Sequence, residues 1–294
     1  MKKLFDLSAA MWRMHELGSD IWHEAHVPGS VYADLMADGT MPDPFYRDNE
    51  FSFFDLMKKD WEYVCSFPAP QELPSRVELI CEGLDTLADV FLNGTPIGHA
   101  DNMHITWAWD VKPLLHEGEN ELRIVFRSPI NYCAEAAERA PGWESSDATP
   151  GFRHLRKAHC MFGWDWGPRL PGVGLWRPVT LVAYDIARID SVYVTQKHEE
   201  GAVELHTCVT LETSSATGFV FGEENPLLFK AEPELKNLSV RVDVFAPDGT
   251  PAASGDGTEA IRIVQPKLWW PAGFGEQPLY TVKAALYSGE KLLD

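Results

Sequence analysis

The amino-acid sequence predicts an all-β protein made of two antiparallel sandwiches. Three observations indicate this fold class: short segments in which apolar and polar residues alternate, turn signals between those segments, and no strand–helix–strand rhythm. The chain has 294 residues, which is too long for one ordinary sandwich and suits two domains. We predict domains at residues 1–186 and 187–294.

The clearest strand lies at residues 121–127. Here Leu122, Ile124 and Phe126 alternate with Glu121, Arg123 and Arg127, as expected for a strand with one buried and one solvated face. Other segments with strand-like composition lie at residues 77–82, 88–92, 189–195, 203–211, 238–244 and 280–286.

Turns and short helices separate these strands. An Asn-Gly pair at residues 93–94 is a strong hairpin signal, because both residues tolerate positive φ. A Pro-Asp-Gly turn at 247–249 ends the strand before it. Residues 30–36 and 128–139 each begin with a serine suited to capping and predict short helices.

The predicted domain boundary follows from two neighbouring strands. Residues 176–184 are typical of a strand that closes one sheet, and residues 189–195 open another. Near the end of the chain, residues 280–286 and 291–294 indicate a hairpin whose second strand is cut short. We therefore expect the second domain to be incomplete at its C-terminal end and the chain to be a fragment.

Charge and composition exclude several classes of partner. The formal net charge of −19 disfavours nucleic acids and anionic membrane surfaces. The chain has no run of 18 apolar residues, and Asp6 interrupts the apolar segment of any signal peptide. Five widely spaced cysteines, an odd number, argue against a disulfide framework. These features predict a cytoplasmic protein.

The segment Phe-Gly-Trp-Asp-Trp-Gly-Pro-Arg at residues 162–169 is the sharpest candidate for a binding site. Its glycines and proline predict an irregular loop. Asp165 can accept hydrogen bonds from two adjacent sugar hydroxyls, and Trp164 or Trp166 can stack on a sugar ring. Equally, both indoles could be core residues while Asp165 caps a turn or pairs with Arg169.

Other chemistries have little support in the sequence. The histidines and cysteines lack a four-ligand metal spacing, and there is no P-loop or G-x-G-x-x-G segment. There is also no G-x-S-x-G nucleophile segment, and no carboxylate pair stands out as an acid and base. We predict no metal, no cofactor and no catalytic residue in this chain.

The chain resembles the N-terminal part of the β-mannosidases of glycoside hydrolase family 2. Segments in family order carry this resemblance, and they run across nearly the whole chain. They are residues 27–31 (VPGSV), 43–50 (DPFYRDNE), 83–86 (GLDT), 90–94 (VFLNG), 156–157 (RK), 162–169 (FGWDWGPR), 174–177 (GLWR) and 268–271 (LWWP).

The resemblance implies a jelly-roll, galactose-binding-like domain followed by an immunoglobulin-like sandwich and a catalytic (β/α)₈ barrel. It implies retaining hydrolysis by two glutamates of the barrel, which this sequence does not reach. It assigns Asp165 to the terminal mannose subsite, with Trp164 as a wall and Trp166 as a further candidate. By the same resemblance, Trp269 and Trp270 are expected to pack the second sandwich.

The predicted function is therefore that of the non-catalytic part of a retaining exo-β-mannosidase, inactive by itself. Its partners would be a β-mannoside oligosaccharide and the catalytic barrel of the same parent chain. One alternative is another family 2 enzyme, such as an exo-β-glucosaminidase, β-galactosidase or β-glucuronidase. A second alternative is a free-standing carbohydrate-binding module.

Overall fold

β-Strands in which apolar and polar residues alternate are the main elements of the structure, as the sequence predicts. The structure, a computed structural model, describes residues 2–69, 71–215 and 237–294, and the backbone of residues 218–221. The chain divides into two compact units. One unit comprises Leu4–Leu73 and Val77–Ala183, and the other comprises Tyr184–Asp294 with the short segments Met1–Lys3 and Pro74–Arg76. The predicted boundary at 186/187 stays a prediction.

The first sandwich contains twelve strands within the described part of the chain. They are β1 (Lys3–Asp6), β2 (Trp12–Glu16), β3 (His23–Ala25), β4 (Trp61–Ala69), β5 (Arg76–Cys81), β6 (Leu84–Asp85), β7 (Ala88–Leu92), β8 (Thr95–Ala100), β9 (Trp107–Asp110), β10 (Gly118–Phe126), β11 (Gly174–Leu175) and β12 (Val179–Tyr184). A four-stranded sheet has the order β1-β12-β5-β9, a six-stranded sheet the order β3-β2-β4-β10-β7-β8, and β11 pairs with β6. Apolar residues of both larger sheets share one core.

The second sandwich has eight described strands. They are β13 (Ala187–Glu199), β14 (Ala202–Thr213), β15 (Gly218–Phe221), β16 (Leu238–Phe245), β17 (Pro251–Gly255), β18 (Ile261–Val264), β19 (Thr281–Ser288) and β20 (Lys291–Leu292). One sheet joins β13, β14 and β15, with β18 also on β14, and the other has the order β17-β16-β19-β20. Its core forms between them from residues such as Leu211 and Val242.

Helices are short, as predicted. They are α1 (Val31–Ala37), α2 (Glu50–Phe53) and α3 (Pro129–Arg139), with 3₁₀ segments at Phe54–Lys58, Lys112–Leu114, Phe152–His154 and His159–Phe162. Ser30 caps α1 by accepting a hydrogen bond from the Ala33 amide, and Ser128 caps α3 through the Asn131 amide. The sequence prediction missed α2, whose first turn carries no capping hydrogen bond from a side chain.

The predicted strand alternation and hairpin turn are confirmed where the sequence signals were strongest. In β10, Leu122, Ile124 and Phe126 are all fully buried. The hairpin between β7 and β8 turns at Asn93 and Gly94, whose φ angles of 51° and 75° lie in the left-handed region. The fold class predicted from these patterns is therefore confirmed at the level of individual strands.

The Trp107/Trp109 pair belongs to the first sandwich itself. The two rings stack with centroids 6.0 Å apart, and both pack against the core. Trp107 donates from Nε1 to the Asn102 carbonyl at 3.1 Å. The Trp109 indole lies over Gly98 in β8, where an added Cβ would come within 2.1 Å of Trp109 Nε1. Gly98 is thus required by a close approach of the ring.

Replacing Gly98 with alanine should destabilise the chain, because the new methyl group overlaps the Trp109 ring. We expect the free energy of unfolding to fall by about 1–3 kcal/mol, as for other overpacked sites. Urea unfolding of Gly98→Ala measures this loss. The same change in a Trp109→Leu background should be clearly less damaging, and equal losses in both backgrounds would contradict the proposed overlap.

Candidate functional site

The segment Phe162–Arg169, called here the site loop, forms a tight turn. The Trp164 amide donates to the Gly167 carbonyl at 3.2 Å, and the Gly167 amide donates to the Trp164 carbonyl at 3.3 Å. These two bonds place Asp165 and Trp166 at the tip of the turn. The exposed fractions of Trp164 and Trp166 are 46% and 78%, and Asp165 is also exposed.

The start of the site loop is fixed by burial. Phe162 is fully buried in a small apolar cluster with Cys133 and Leu155. Its carbonyl accepts hydrogen bonds from the Thr149 amide at 3.0 Å and the Thr149 hydroxyl at 3.2 Å. The next residue, Gly163, has a φ of 91°, and a Cβ there would lie 2.4 Å from Arg169 Cγ. The turn therefore emerges from a rigid base, at a position that glycine alone fits without strain.

Arg169 anchors the end of the site loop to two other segments. Its amide donates to Glu50 Oε2 at 3.2 Å, and its guanidinium donates to the Asp147 carbonyl at 3.1 Å. Arg169 also lines a cavity of about 250 Å³ with Glu50, Phe51 and Phe54. Phe51 is 74% exposed, so it adds an aromatic surface beside the loop.

Asp165 makes no side-chain hydrogen bond or ion pair with any residue that the structure describes. The ion pair with Arg169 that the sequence allowed is not formed, and the Arg169 guanidinium donates to the Asp147 carbonyl instead. The carboxylate is therefore free to accept hydrogen bonds from a ligand, with one indole on either side. Sugar hydroxyls are suitable donors, and indole faces suit the apolar face of a pyranose ring.

A buried ion pair joins β6 to the residues on either side of the site loop. Lys157 Nζ bonds to Asp85 Oδ2 and donates to the Gly172 carbonyl at 2.6 Å. Thr86 donates its hydroxyl to the other oxygen of Asp85. Burial lowers the pKa of the Lys157 ammonium, and the neighbouring Asp85 carboxylate opposes that shift.

The second tryptophan-rich segment lies in the other compact unit. Trp269 and Trp270 are 53% and 50% exposed, and neither belongs to the apolar core between the two sheets. Together with Leu279 and Tyr280 they line an apolar groove of about 570 Å³. The expectation that both indoles pack the second sandwich stays a prediction.

Across residues 2–69, 71–215 and 237–294, no group of three or more histidine, cysteine, aspartate or glutamate residues is arranged to hold a metal ion. Within the same part of the chain, no helix has the length and apolar character needed to cross a bilayer.

Two family models match this chain, one over each sandwich. A family model described as "Glycosyl hydrolase 2 galactose-binding domain-like" matches residues 12–177. A second, "Glycosyl hydrolases family 2", matches residues 187–294. The chain belongs to glycosyl hydrolase family 2. The predicted galactose-binding-like and immunoglobulin-like sandwiches are thereby confirmed for this family 2 chain.

Individual relatives agree with the family assignment. The chain is 32% identical to beta-mannosidase B of Thermothelomyces thermophilus over 91% of its own length and 30% of that protein. It is 27% identical to the beta-mannosidase of Mus musculus over 96% of its length and 33% of that protein. The crystal structure of a beta-D-mannosidase from Dictyoglomus thermophilum matches with a TM-score of 0.79 and 33% identity, covering 97% of this chain and 34% of that one. The resemblance to β-mannosidases is confirmed, and the chain spans about a third of its relatives' length.

Sequence reasoning identified the tip of the site loop but missed its supports. Glu50 lies 119 residues from Arg169, and no local pattern connects them. Lys157 belongs to a motif that the sequence comparison singled out, yet a lysine is ordinarily expected at the surface. Phe51 resembles a core residue in sequence and is exposed in the structure.

Because Asp165 has no described partner, replacing it should leave the stability of this chain nearly unchanged. We expect Asp165→Ala to alter the free energy of unfolding by no more than about 0.5 kcal/mol. Asp60 is the matched control, since it accepts hydrogen bonds from Arg127 and from the Ser128 amide. Asp60→Ala should lose about 1 kcal/mol or more in the same urea titration. A comparable loss in Asp165→Ala would assign Asp165 to the scaffold.

Proposed function

We propose that this chain is the N-terminal, non-catalytic part of a retaining exo-β-mannosidase. The full-length enzyme would remove terminal β-D-mannose residues from the non-reducing ends of oligosaccharides. The relatives named above support this proposal, because all three are β-mannosidases and each aligns with nearly the whole of this chain. The rival family 2 activities lack comparable support from these relatives.

In this proposal the site loop forms one wall of the terminal mannose subsite. The observation that carries it is an exposed carboxylate, Asp165, held between two exposed indoles with no described partner of its own. Asp165 would bind sugar hydroxyls, while Trp164 would stack on the ring and Trp166 would border the subsite. None of these residues supplies an acid, a base and a nucleophile, so the chemistry belongs elsewhere in the full-length enzyme.

The proposed partner within the full-length enzyme is its catalytic barrel. The relatives are about three times longer than this chain, which leaves room for a barrel and its two glutamates. The apolar groove beside Trp269 and Trp270 supports such a contact, because half-exposed indoles gain from burial against protein. We also propose a cytoplasmic location, which the five free thiols of the chain favour.

The kinetic test uses Asp165 in the full-length enzyme. A hydrogen bond from a sugar hydroxyl to a carboxylate contributes about 1.5–3 kcal/mol, so Asp165→Asn should lower kcat/KM by roughly 10–150-fold. The melting temperature, measured on the same preparation, should not change. An unchanged kcat/KM on an aryl β-mannoside would show that Asp165 does not bind the sugar in the subsite.

This chain alone should not hydrolyse an aryl β-mannoside. Retaining hydrolysis needs two carboxyl groups about 5–5.5 Å apart, and the proposal locates that pair in the barrel. Purified chain is compared with a matched preparation from cells that carry an empty vector. Turnover that rises with chain concentration and exceeds this blank would show that the proposed division of labour is wrong.

A further inference from the structure

The site loop lies within a longer excursion of the chain between Lys157 and Gly172. One side chain closes the base of that excursion: Lys157 Nζ donates to the Gly172 carbonyl at 2.6 Å. The closure joins Lys157 to Gly172, 15 positions further along the chain. Closing such a segment at its base restricts the conformations open to everything in between.

The closure is also fixed to the sandwich. The same ammonium group pairs with Asp85 in β6, and Gly174 in β11 lies opposite Asp85 in the β6–β11 ladder. Both ends of the excursion are therefore attached to one short strand. The Lys157 side chain has no exposed surface, so it cannot touch a substrate.

We propose that Lys157 is a positioning residue that sets the location of Asp165 by tying both ends of the excursion to Asp85. This inference rests on the proposed function of the site loop as a sugar-binding wall. A binding wall must hold its groups within about 0.5 Å of the productive geometry, and supporting contacts beneath it provide that precision. The Lys157–Gly172 bond is such a contact, and it adds to those that Phe162 and Arg169 make nearer the tip.

A purely structural ion pair would behave differently from a positioning one. Removing the lysine alone leaves a buried carboxylate without its cation, which destabilises any fold. Removing both charges relieves that penalty but does not restore a donor for the Gly172 carbonyl. The double variant Lys157→Met/Asp85→Asn therefore separates overall stability from loop closure, and its asparagine retains an acceptor for Thr86.

The first experiment uses this chain and needs no activity. Hydrogen exchange of the Trp164, Gly167 and Leu170 amides, all hydrogen-bonded within the excursion, reports its order. We expect Lys157→Met to lower the melting temperature and to speed exchange at these amides by about 10-fold or more. The double variant should regain most of the melting temperature and keep the fast exchange. The control Arg123→Met, which removes an ion pair with Glu62 elsewhere in the unit, should leave these amides unchanged.

Three outcomes would overturn the inference: slow exchange in the double variant, slow exchange in Lys157→Met, or a double variant that does not fold. Each of these outcomes would mean that the Lys157–Asp85 pair stabilises the fold and does not position the site loop.

The second experiment connects Lys157 to Asp165 in the full-length enzyme. The double variant should lower kcat/KM by up to about 100-fold, the effect expected for a misplacement of about 1 Å. In an Asp165→Ala background the same double change should have little further effect. If the double change lowers kcat/KM by the same factor in the Asp165→Ala background as in the wild-type background, Lys157 does not act through Asp165. If Asp165→Ala alone has no effect, the proposed function fails, while the exchange result still decides whether Lys157 orders the loop.

Discussion

The burial of one face of each strand is the constraint on which the rest of this structure depends. A strand with alternating apolar residues must cover its apolar face, and here a facing sheet does so in each unit. The edges and connections of the sheets are then the places left for binding. The site loop is one such connection, and it follows directly from a 3₁₀ segment, His159–Phe162, that ends in the buried Phe162.

Two aspartates show how environment divides one side-chain chemistry into two roles. Asp85 is buried, and its two carboxylate oxygens are bonded within the protein, one to Lys157 and the other to the Thr86 hydroxyl. Asp165 is exposed and has no partner in the described part of the chain. A buried carboxylate needs its cation, whereas an exposed one is hydrated until a ligand replaces the water. Asp85 is therefore suited to holding the backbone around it in place, and Asp165 is suited to accepting hydrogen bonds from a ligand.

The sequence was informative where local chemistry decides the structure. The alternation of Leu122, Ile124 and Phe126 and the Asn93-Gly94 turn are local properties, and the structure has both as predicted. The tip of the site loop was also accessible from sequence, since glycine, tryptophan and aspartate stand side by side there. What could not be predicted depends on contacts between distant segments. The bond from Arg169 to Glu50 and the burial of Lys157 are examples, because neither residue's neighbours along the chain indicate its partner.

The two sets of exposed indoles differ in a way that bears on their partners. Trp164 and Trp166 flank a carboxylate, an arrangement that suits the proposed sugar ring, which offers both an apolar face and hydroxyl donors. The groove beside Trp269 and Trp270 is lined by apolar residues such as Leu279 and by Lys267, and in the proposal above it contacts another protein surface. Exposed indoles alone do not distinguish the two cases. The Asp165 carboxylate beside Trp164 and Trp166 does, because an unpaired carboxylate buried under protein would be destabilising, whereas a sugar hydroxyl satisfies it.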